Sequence, residues 1–203
     1  IHFGVVPLES PSVMTKKFTP LADYLSREIG VPVRVVVGRN YQATVDDIGR
    51  NNVQIAYMTP TTYPKAERQN PDAEIRPIVK FKENGEATYR SCVIVRAGSN
   101  VTKLSDLKGK KFAFGNEQST ASHLMPRSML MGAGIDIDRD LAEVKFLGSH
   151  SNVASAVESG LVDAGGVLES VGEQGEKQRK LKILARSGYI PQFPICVNRY
   201  LSE

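Results

Sequence analysis

Alternating apolar and polar positions divide the chain into short strands and amphipathic helices. The stretch IHFGVVP predicts a first strand, and PLADYLSREIG predicts a helix. Phe18, just before this helix, shares one face with the apolar positions inside it, and Gly30 marks its end. β-branched runs in VPVRVVVG, VQIAYM and IRPIVKF predict three further strands. Helical patterns in TVDDIGRNN and from TPTTYPKAERQ separate them. This alternation predicts a largely parallel sheet with helical crossovers.

The same pattern restarts after the turn residues at 83–85. Strands are predicted in ATYRSCVIVRAG, KKFAFG, EVKFLGS, VDAGGVL, LKILARSG and FPICVNRYL, and helices in LSDLKG, STASHLMPRSMLMGAG and SNVASAVESG. The two halves are similar in organisation but share no sequence repeat. We therefore predict an α/β protein of two lobes: lobe I over 1–86, lobe II over 87–191, and a return crossover toward lobe I over 192–203.

Composition narrows the classes of function. The 203 residues are 41% hydrophobic and 24% charged, which is typical of a globular protein. The net charge of +4 is not gathered in a basic stripe, so a nucleic-acid partner is not expected. No run approaches the roughly 18 apolar residues of a membrane span. The chain opens without Met and stops soon after a strand-like segment, so we expect further sequence at both ends, with a secretory signal fitting the first.

The metal-ligating and thiol residues are few. Three His and two Cys outside any CxxC motif do not predict a metal site, and no cofactor motif is present. Cys92 and Cys196 lie in apolar strand-like runs, which favours two buried thiols.

Hydroxyl residues gather at one strand-to-helix junction, in FGNEQSTASHLMP. There Ser119, Thr120 and Ser122 stand where the unpaired N–H groups and the positive dipole end of a helix face the loop. Such a group suits a phosphate-like or carboxylate anion. An ordinary Ser or Thr N-cap explains the same residues. The motifs of a P-loop and of a nucleophile elbow are absent.

Other candidate residues also stand at junctions. His150 follows a strand and precedes a helix, whereas His123 lies inside a helical turn and is expected to be structural. Tyr41 and Tyr89 suit a ligand cleft because a phenol offers a hydrogen bond and an apolar face. Glu169 ends a strand and either faces that cleft or caps the next segment. A hydrolase triad from Ser119 or Ser122, His150, and Asp163 or Glu169 is a further alternative, although nothing marks a serine as activated.

Taken in order, these segments resemble the periplasmic phosphonate- and phosphite-binding proteins, the solute-binding components of ABC importers. The resemblance covers essentially the whole chain and depends most on STASHLMP and the downstream SH…AVESGLVDAG. It implies a type-2 periplasmic-binding clamshell of two lobes that closes on its ligand and presents it to a membrane permease. It also implies an extracytoplasmic protein, periplasmic or anchored at the membrane. We expect a monomer that is not an enzyme.

The resemblance further implies a ligand set. Ser119, Thr120 and Ser122 would hold the oxygens of a small phosphorus oxyanion, a phosphonate, phosphite or phosphate. His150, Tyr41 and Tyr89 match further family positions, Thr59 is a weaker match, and an acid that would meet an amine falls at or beside Glu169.

One departure from the family bears on the ligand. A second acid expected in YIPQFP is replaced by Gln192 and Phe193. Since a buried ammonium needs a charged partner, phosphate, phosphite or methylphosphonate is expected rather than aminoethylphosphonate.

Two alternatives stay open at this point. The same fold could serve as the sensing domain of a membrane-bound signalling protein. The fold also runs two crossover segments side by side, and a disulfide between Cys92 and Cys196 would form only if their Cα atoms approach within about 7 Å.

Overall fold

The chain divides into two compact units, each built on one five-stranded sheet. A computed structural model describes residues 1–83 and 85–201; Asn84, at the predicted turn, lies outside them. Unit 1 comprises Ile1–Ala87 with Pro191–Glu203, and unit 2 comprises Thr88–Ile190. Within the described residues, no helix combines the length and the apolar character that crossing a membrane would need.

The regular elements are labelled in chain order. The helices are α1 (Pro11–Ile29), α2 (Tyr41–Gly49), α3 (Thr62–Gln69), α4 (Met125–Gly132), α5 (His150–Ser159) and α6 (Glu169–Lys177). The strands are β1 (His2–Val5), β2 (Arg34–Val37), β3 (Ile55–Tyr57), β4 (Arg76–Lys80), β5 (Thr88–Tyr89), β6 (Ser91–Arg96), β7 (Lys111–Phe114), β8 (Glu143–Phe146), β9 (Ala164–Leu168), β10 (Leu181–Arg186), β11 (Ile190–Pro191) and β12 (Pro194–Val197). Short 3₁₀ turns occupy Pro71–Ala73 and Leu104–Leu107, and a π-helical turn occupies Thr120–Leu124.

Unit 1 is a mixed sheet with strand order β2-β1-β3-β12-β4. Strand β12, which returns from the far end of the chain, runs against the other four strands. Because β1 pairs in parallel with both β2 and β3, the loops that follow these three strands lie at one edge of the sheet. An aromatic group of Phe18, Tyr57 and Phe193 packs within this unit, with Tyr57 stacked on Phe193 at 5.1 Å between ring centroids.

Helix α1 begins nine residues before the predicted helix. The sequence prediction took Pro20 as the start, but Pro20 lies inside the helix and Pro11 occupies its first turn. The face that buries Met14, Phe18 and Ala22 continues through the proline. Proline removes one backbone donor at this point, and the burial of a three-residue stripe outweighs that loss.

Unit 2 has strand order β10-β6-β9-β7-β8, and β6 runs against the other four strands. Successive residues of β6 enter different hydrophobic cores: Cys92 and Ile94 pack in one, and Val93 and Val95 in the other. Since side chains alternate along a strand, the two cores lie on opposite faces of the sheet. The predicted strand ATYRSCVIVRAG is divided into β5 and β6, with Arg90 between them. Helix α6 is an element that the sequence pattern does not predict.

The two cysteines are free and buried, each in the core of its own unit. Cys196 lies in the core of unit 1 beside Ile48 and Met58. Burial raises the pKa of both thiols to about 12, so neither is a ready thiolate nucleophile. The expectation of two buried thiols is confirmed.

The packing of α6 on β6 generates a stability prediction. A Cβ added at Gly172 would lie 2.7 Å from Cys92 Sγ and 2.9 Å from Ile183 Cγ1, closer than side chains pack. Gly172→Ala is expected to lower the free energy of unfolding by about 1–3 kcal/mol through overpacking. Gly132→Ala is the matched control, since nothing lies within 4 Å of its Cβ position. Urea unfolding of both variants measures the effect; an equal stability of the two would contradict it.

Candidate oxyanion site in unit 2

Parallel strand pairing brings three strand ends of unit 2 together. Strand β7 pairs in parallel with β8 and with β9, so the loops that follow them meet at one edge of the sheet. Backbone bonds join two of these loops: Leu147 N–H donates to Phe114 O at 2.9 Å, and Gly148 N–H donates to Gly115 O at 3.0 Å. The π turn before α4, and the helices α5 and α6, all begin at this edge. Their positive ends therefore face the same region.

The hydroxyl-rich turn is fixed by a small set of hydrogen bonds. Ser119 Oγ accepts the Ser122 N–H at 3.1 Å, which is the N-cap that the sequence allowed as an alternative. A hydroxyl that accepts one bond can still donate its own proton to an anion. The Ser91 hydroxyl donates to Ala121 O at 2.6 Å and ties the turn to β6. Ser119, Thr120 and Ser122 are all buried.

Gly115 allows the turn to approach the start of α5. Its N–H donates to Ser122 O at 3.1 Å. A Cβ at this position would stand 2.2 Å from Ser122 Oγ and 3.7 Å from the carbonyl carbon of Ser149. Ser149 caps α5 by accepting the Asn152 N–H at 3.2 Å. The glycine thus places the Ser122 hydroxyl beside the first turn of α5.

His150 is a neutral donor with a fixed tautomer. It is the first residue of α5 and only 1% exposed. Its Nδ1 lies 3.1 Å from the Leu168 N–H, which can only donate, so the proton of the ring is on Nε2. Burial lowers the pKa of His150 to about 4. Near neutral pH the ring is therefore uncharged and offers one N–H.

Glu169 and Tyr89 are close along the chain to residues of this group. Glu169 opens α6, and its N–H donates to Arg90 O at 3.0 Å. Its carboxylate accepts from Arg186 Nε at 2.5 Å. Tyr89 is half-buried in β5, two residues before Ser91. The structure therefore brings Ser119, Thr120, Ser122, His150 and Glu169 to one edge of unit 2, with Tyr89 close to it in sequence.

Tyr41 and Thr59 belong to unit 1. They follow the carboxyl ends of β2 and β3, so they lie toward the same edge of that unit's sheet. Tyr41 is buried at the first turn of α2. Thr59 is buried, and its hydroxyl accepts the N–H of Thr62, the first residue of α3, at 3.0 Å. Both residues stay predictions as ligand contacts.

His123 is a core residue. Its Nδ1 lies 2.6 Å from Glu117 O, and since a carbonyl only accepts, Nδ1 carries the proton. The ring meets Phe114 and Phe146 edge-on at 4.9 and 5.0 Å. Its Nε2 is buried without a hydrogen-bond partner among the described residues.

The geometry does not assemble the hydrolase triad considered from the sequence. The Nδ1 of His150 accepts a backbone N–H, so it cannot donate to an orienting carboxylate. Asp163 precedes β9 and accepts the Lys111 N–H at 2.8 Å, at the opposite end of that strand. Among the described residues, no group of three His, Cys, Asp or Glu is placed to hold a metal ion.

Sequence reasoning missed three residues of this edge: Ser91, Ser149 and Arg186. Ser149 had a readable signal, because a serine directly before a helical pattern is a typical N-cap. Ser91 and Arg186 had none, since their partners lie 30 and 17 residues away.

Comparisons with known proteins show which family the sequence matches. The sequence model of the family described as ABC transporter, phosphonate, periplasmic substrate-binding protein matches residues 3–203. A probable ABC transporter phosphite binding protein, PhnD1 of Prochlorococcus marinus strain MIT 9301, is 28% identical over 184 residues, covering 87% of this chain and 61% of the relative. The phosphate-import protein PhnD of Mycolicibacterium smegmatis is 28% identical over 181 residues, covering 84% and 56%. The chain thus spans about three fifths of the length of the curated relatives it matches.

A solved structure shows the same fold. The structure of PhnD1 from Prochlorococcus marinus in complex with methylphosphonate has a TM-score of 0.87 at 24% identity, and the match covers 99% of this chain and 77% of that one. The predicted fold class, a mixed α/β type-2 periplasmic-binding fold of two lobes, is confirmed. The chain belongs to the family of periplasmic substrate-binding proteins of phosphonate ABC transporters, which confirms the resemblance stated from the sequence.

The buried His150 generates a prediction of pH dependence. Its pKa is about 4 in the folded state and near 6.5 in the unfolded state, so the unfolded chain binds the proton more tightly. Above pH 6.5 the contribution of His150 to the free energy of unfolding does not change with pH. Between pH 6.5 and 4 the free energy of unfolding falls by on the order of 3 kcal/mol. His150→Asn keeps an acceptor for Leu168 N–H but does not titrate. Urea unfolding at pH 7.5 and 4.5 should show a smaller loss for this variant, and equal losses would contradict the assignment.

Proposed function

We propose that the protein captures a small phosphorus oxyanion, a phosphonate, phosphite or phosphate, and delivers it to the permease of an ABC importer. The observation that supports this most is the convergence of three helix N-termini at one edge of unit 2, together with the hydroxyls of Ser119, Thr120 and Ser122. Unpaired N–H groups and hydroxyl donors are the groups that bind phosphate-like oxygens at helix starts. Names of the matched relatives point to the same class of ligand.

The proposed binding uses neutral donors. His150 contributes an uncharged Nε2–H, and the serine and threonine hydroxyls carry no charge. Hydrogen bonds from fixed neutral donors to an ionised oxygen are charge-assisted and short, and need no lysine or arginine in direct contact. Tyr41, Thr59 and Tyr89 complete the proposed set of ligand contacts.

We place the protein outside the cytoplasm, in the periplasm or anchored at the membrane, as a monomer that does not catalyse a reaction.

The ligand is proposed to lack an amine. Gln192 and Phe193 occupy the segment where an aminoalkyl phosphonate would need an acid. Both are buried in unit 1: Gln192 is 6% exposed, and Phe193 stacks on Tyr57. Neither supplies the charge that a buried ammonium requires. Phosphate, phosphite and methylphosphonate are the expected ligands.

A ligand panel tests the proposed function. Thermal unfolding is measured with phosphate, phosphite, methylphosphonate or sulfate at a few millimolar. A ligand with micromolar affinity at about a thousandfold excess stabilises the folded state by roughly 4 kcal/mol. We expect such an increase with at least one phosphorus oxyanion and a smaller one with sulfate. No stabilisation and no heat of binding with any phosphorus oxyanion would overturn the proposal.

Two substitutions of His150 distinguish the roles of its two ring nitrogens. Asparagine places its oxygen near the position of Nδ1 and removes the Nε2 donor, whereas glutamine places an amide donor near Nε2. His150→Asn is expected to weaken the best ligand about tenfold or more, because one charge-assisted hydrogen bond is lost. His150→Gln should retain part of that affinity. Calorimetric titration compares the two, and equal affinities would show that the Nε2–H does not contact the ligand.

A further inference from the structure

Glu169, the first residue of α6, is held in an ion pair with Arg186. Glu169 follows Leu168, whose N–H binds His150, so the start of α6 lies at the rim of the proposed site. Arg186 ends β10, which runs in the same direction as β9 because both are antiparallel to β6. Arg186 therefore reaches the same edge of the sheet and crosses β6 to bind Glu169, with Nε 2.5 Å from Oε1.

This ion pair is only partly shielded from solvent. The Glu169 side chain is 24% exposed and the Arg186 side chain 40%. The hydrogen bond to Glu169 is the main cause that raises the pKa of Arg186, so the guanidinium stays charged at every pH that the fold tolerates. The two charges cancel at the rim. An ammonium arriving there would meet a carboxylate whose partner it must displace and a cation that repels it.

One other acid lies in the loops of this edge within unit 2. Glu117 follows β7, and its side chain is exposed. An ion pair made there would be screened by water and is expected to contribute little. Glu169 is thus the carboxylate whose state decides how the rim treats a charged substituent.

We propose that Arg186 is a specificity-determining residue. By neutralising Glu169 it selects oxyanions whose fourth substituent is uncharged, such as methyl, hydrogen or hydroxyl, and disfavours those carrying an ammonium. A ligand with an ammonium is disfavoured for two reasons: the Arg186 guanidinium repels it, and the paired Glu169 carboxylate does not attract it. The inference rests on the proposed function and names the ligand class of the same site.

The test compares methylphosphonate with 2-aminoethylphosphonate by calorimetric titration. The wild-type protein is expected to prefer methylphosphonate. Arg186→Gln frees the Glu169 carboxylate to bind the ammonium of 2-aminoethylphosphonate. The affinity ratio should then shift toward that ligand by about tenfold, which is the effect of one charge-assisted hydrogen bond. Arg186→Lys keeps the cation and should keep the wild-type ratio. In the double variant with Glu169→Gln, the gain for the amine should disappear.

A second arm uses Glu169→Gln alone. It leaves the guanidinium without its partner, so methylphosphonate should bind severalfold more tightly at low salt, and the gain should shrink at high salt. This arm decides the question if Arg186→Gln does not fold. Suppose that the wild-type protein binds methylphosphonate, that Arg186→Gln leaves the affinity ratio of the two phosphonates unchanged, and that Glu169→Gln leaves the affinity for methylphosphonate unchanged. This result would overturn the inference but not the proposed function. A wild-type protein that binds neither phosphonate overturns the proposed function and the inference with it.

Discussion

The parallel pairing of β7 with β8 and β9 is the constraint on which the candidate site depends. It places the residues after these strands at one edge and makes a helix start in each loop. The antiparallel strand β6 is inserted beside β9, and through Ser91 it anchors the hydroxyl turn from the other side. The hydroxyls and backbone N–H groups of the candidate site are therefore held in place by the sheet.

The charges of this edge follow a simple division of roles. The groups at its centre are neutral: hydroxyls, backbone N–H groups and a histidine that burial keeps uncharged. Among the charged groups of this edge, Glu169 and Arg186 pair with one another, and Arg90 stacks on Tyr189. A neutral centre suits an anion that brings its own charge, since buried fixed cations would have to be desolvated without a partner whenever the site was empty.

Local signals in the sequence predict most of the strands and helices in their order, and the hydroxyl-rich turn, because strand runs and helix starts depend on neighbouring residues. They do not predict α6. They failed where distant packing decides. Pro20 lies within α1 because the burial of Met14 and Phe18 extends the helix beyond it. The sequence does not decide between the two roles considered for Glu169, because its partner Arg186 is 17 residues away. The tautomer of His150 depends on a backbone donor in β9, Leu168, which no local pattern encodes.

The π turn before α4 also limits how the chain length can change. Leu124 N–H binds Ser119 O, five residues back, so this turn holds one residue more than an α-helical turn. Removing or adding one residue here would rotate α4 by about 100°. Leu130 would then leave the core, and Pro126 would leave its position against Gly166. Related chains should therefore vary in the identity of residues between Gly115 and Pro126 more readily than in their number.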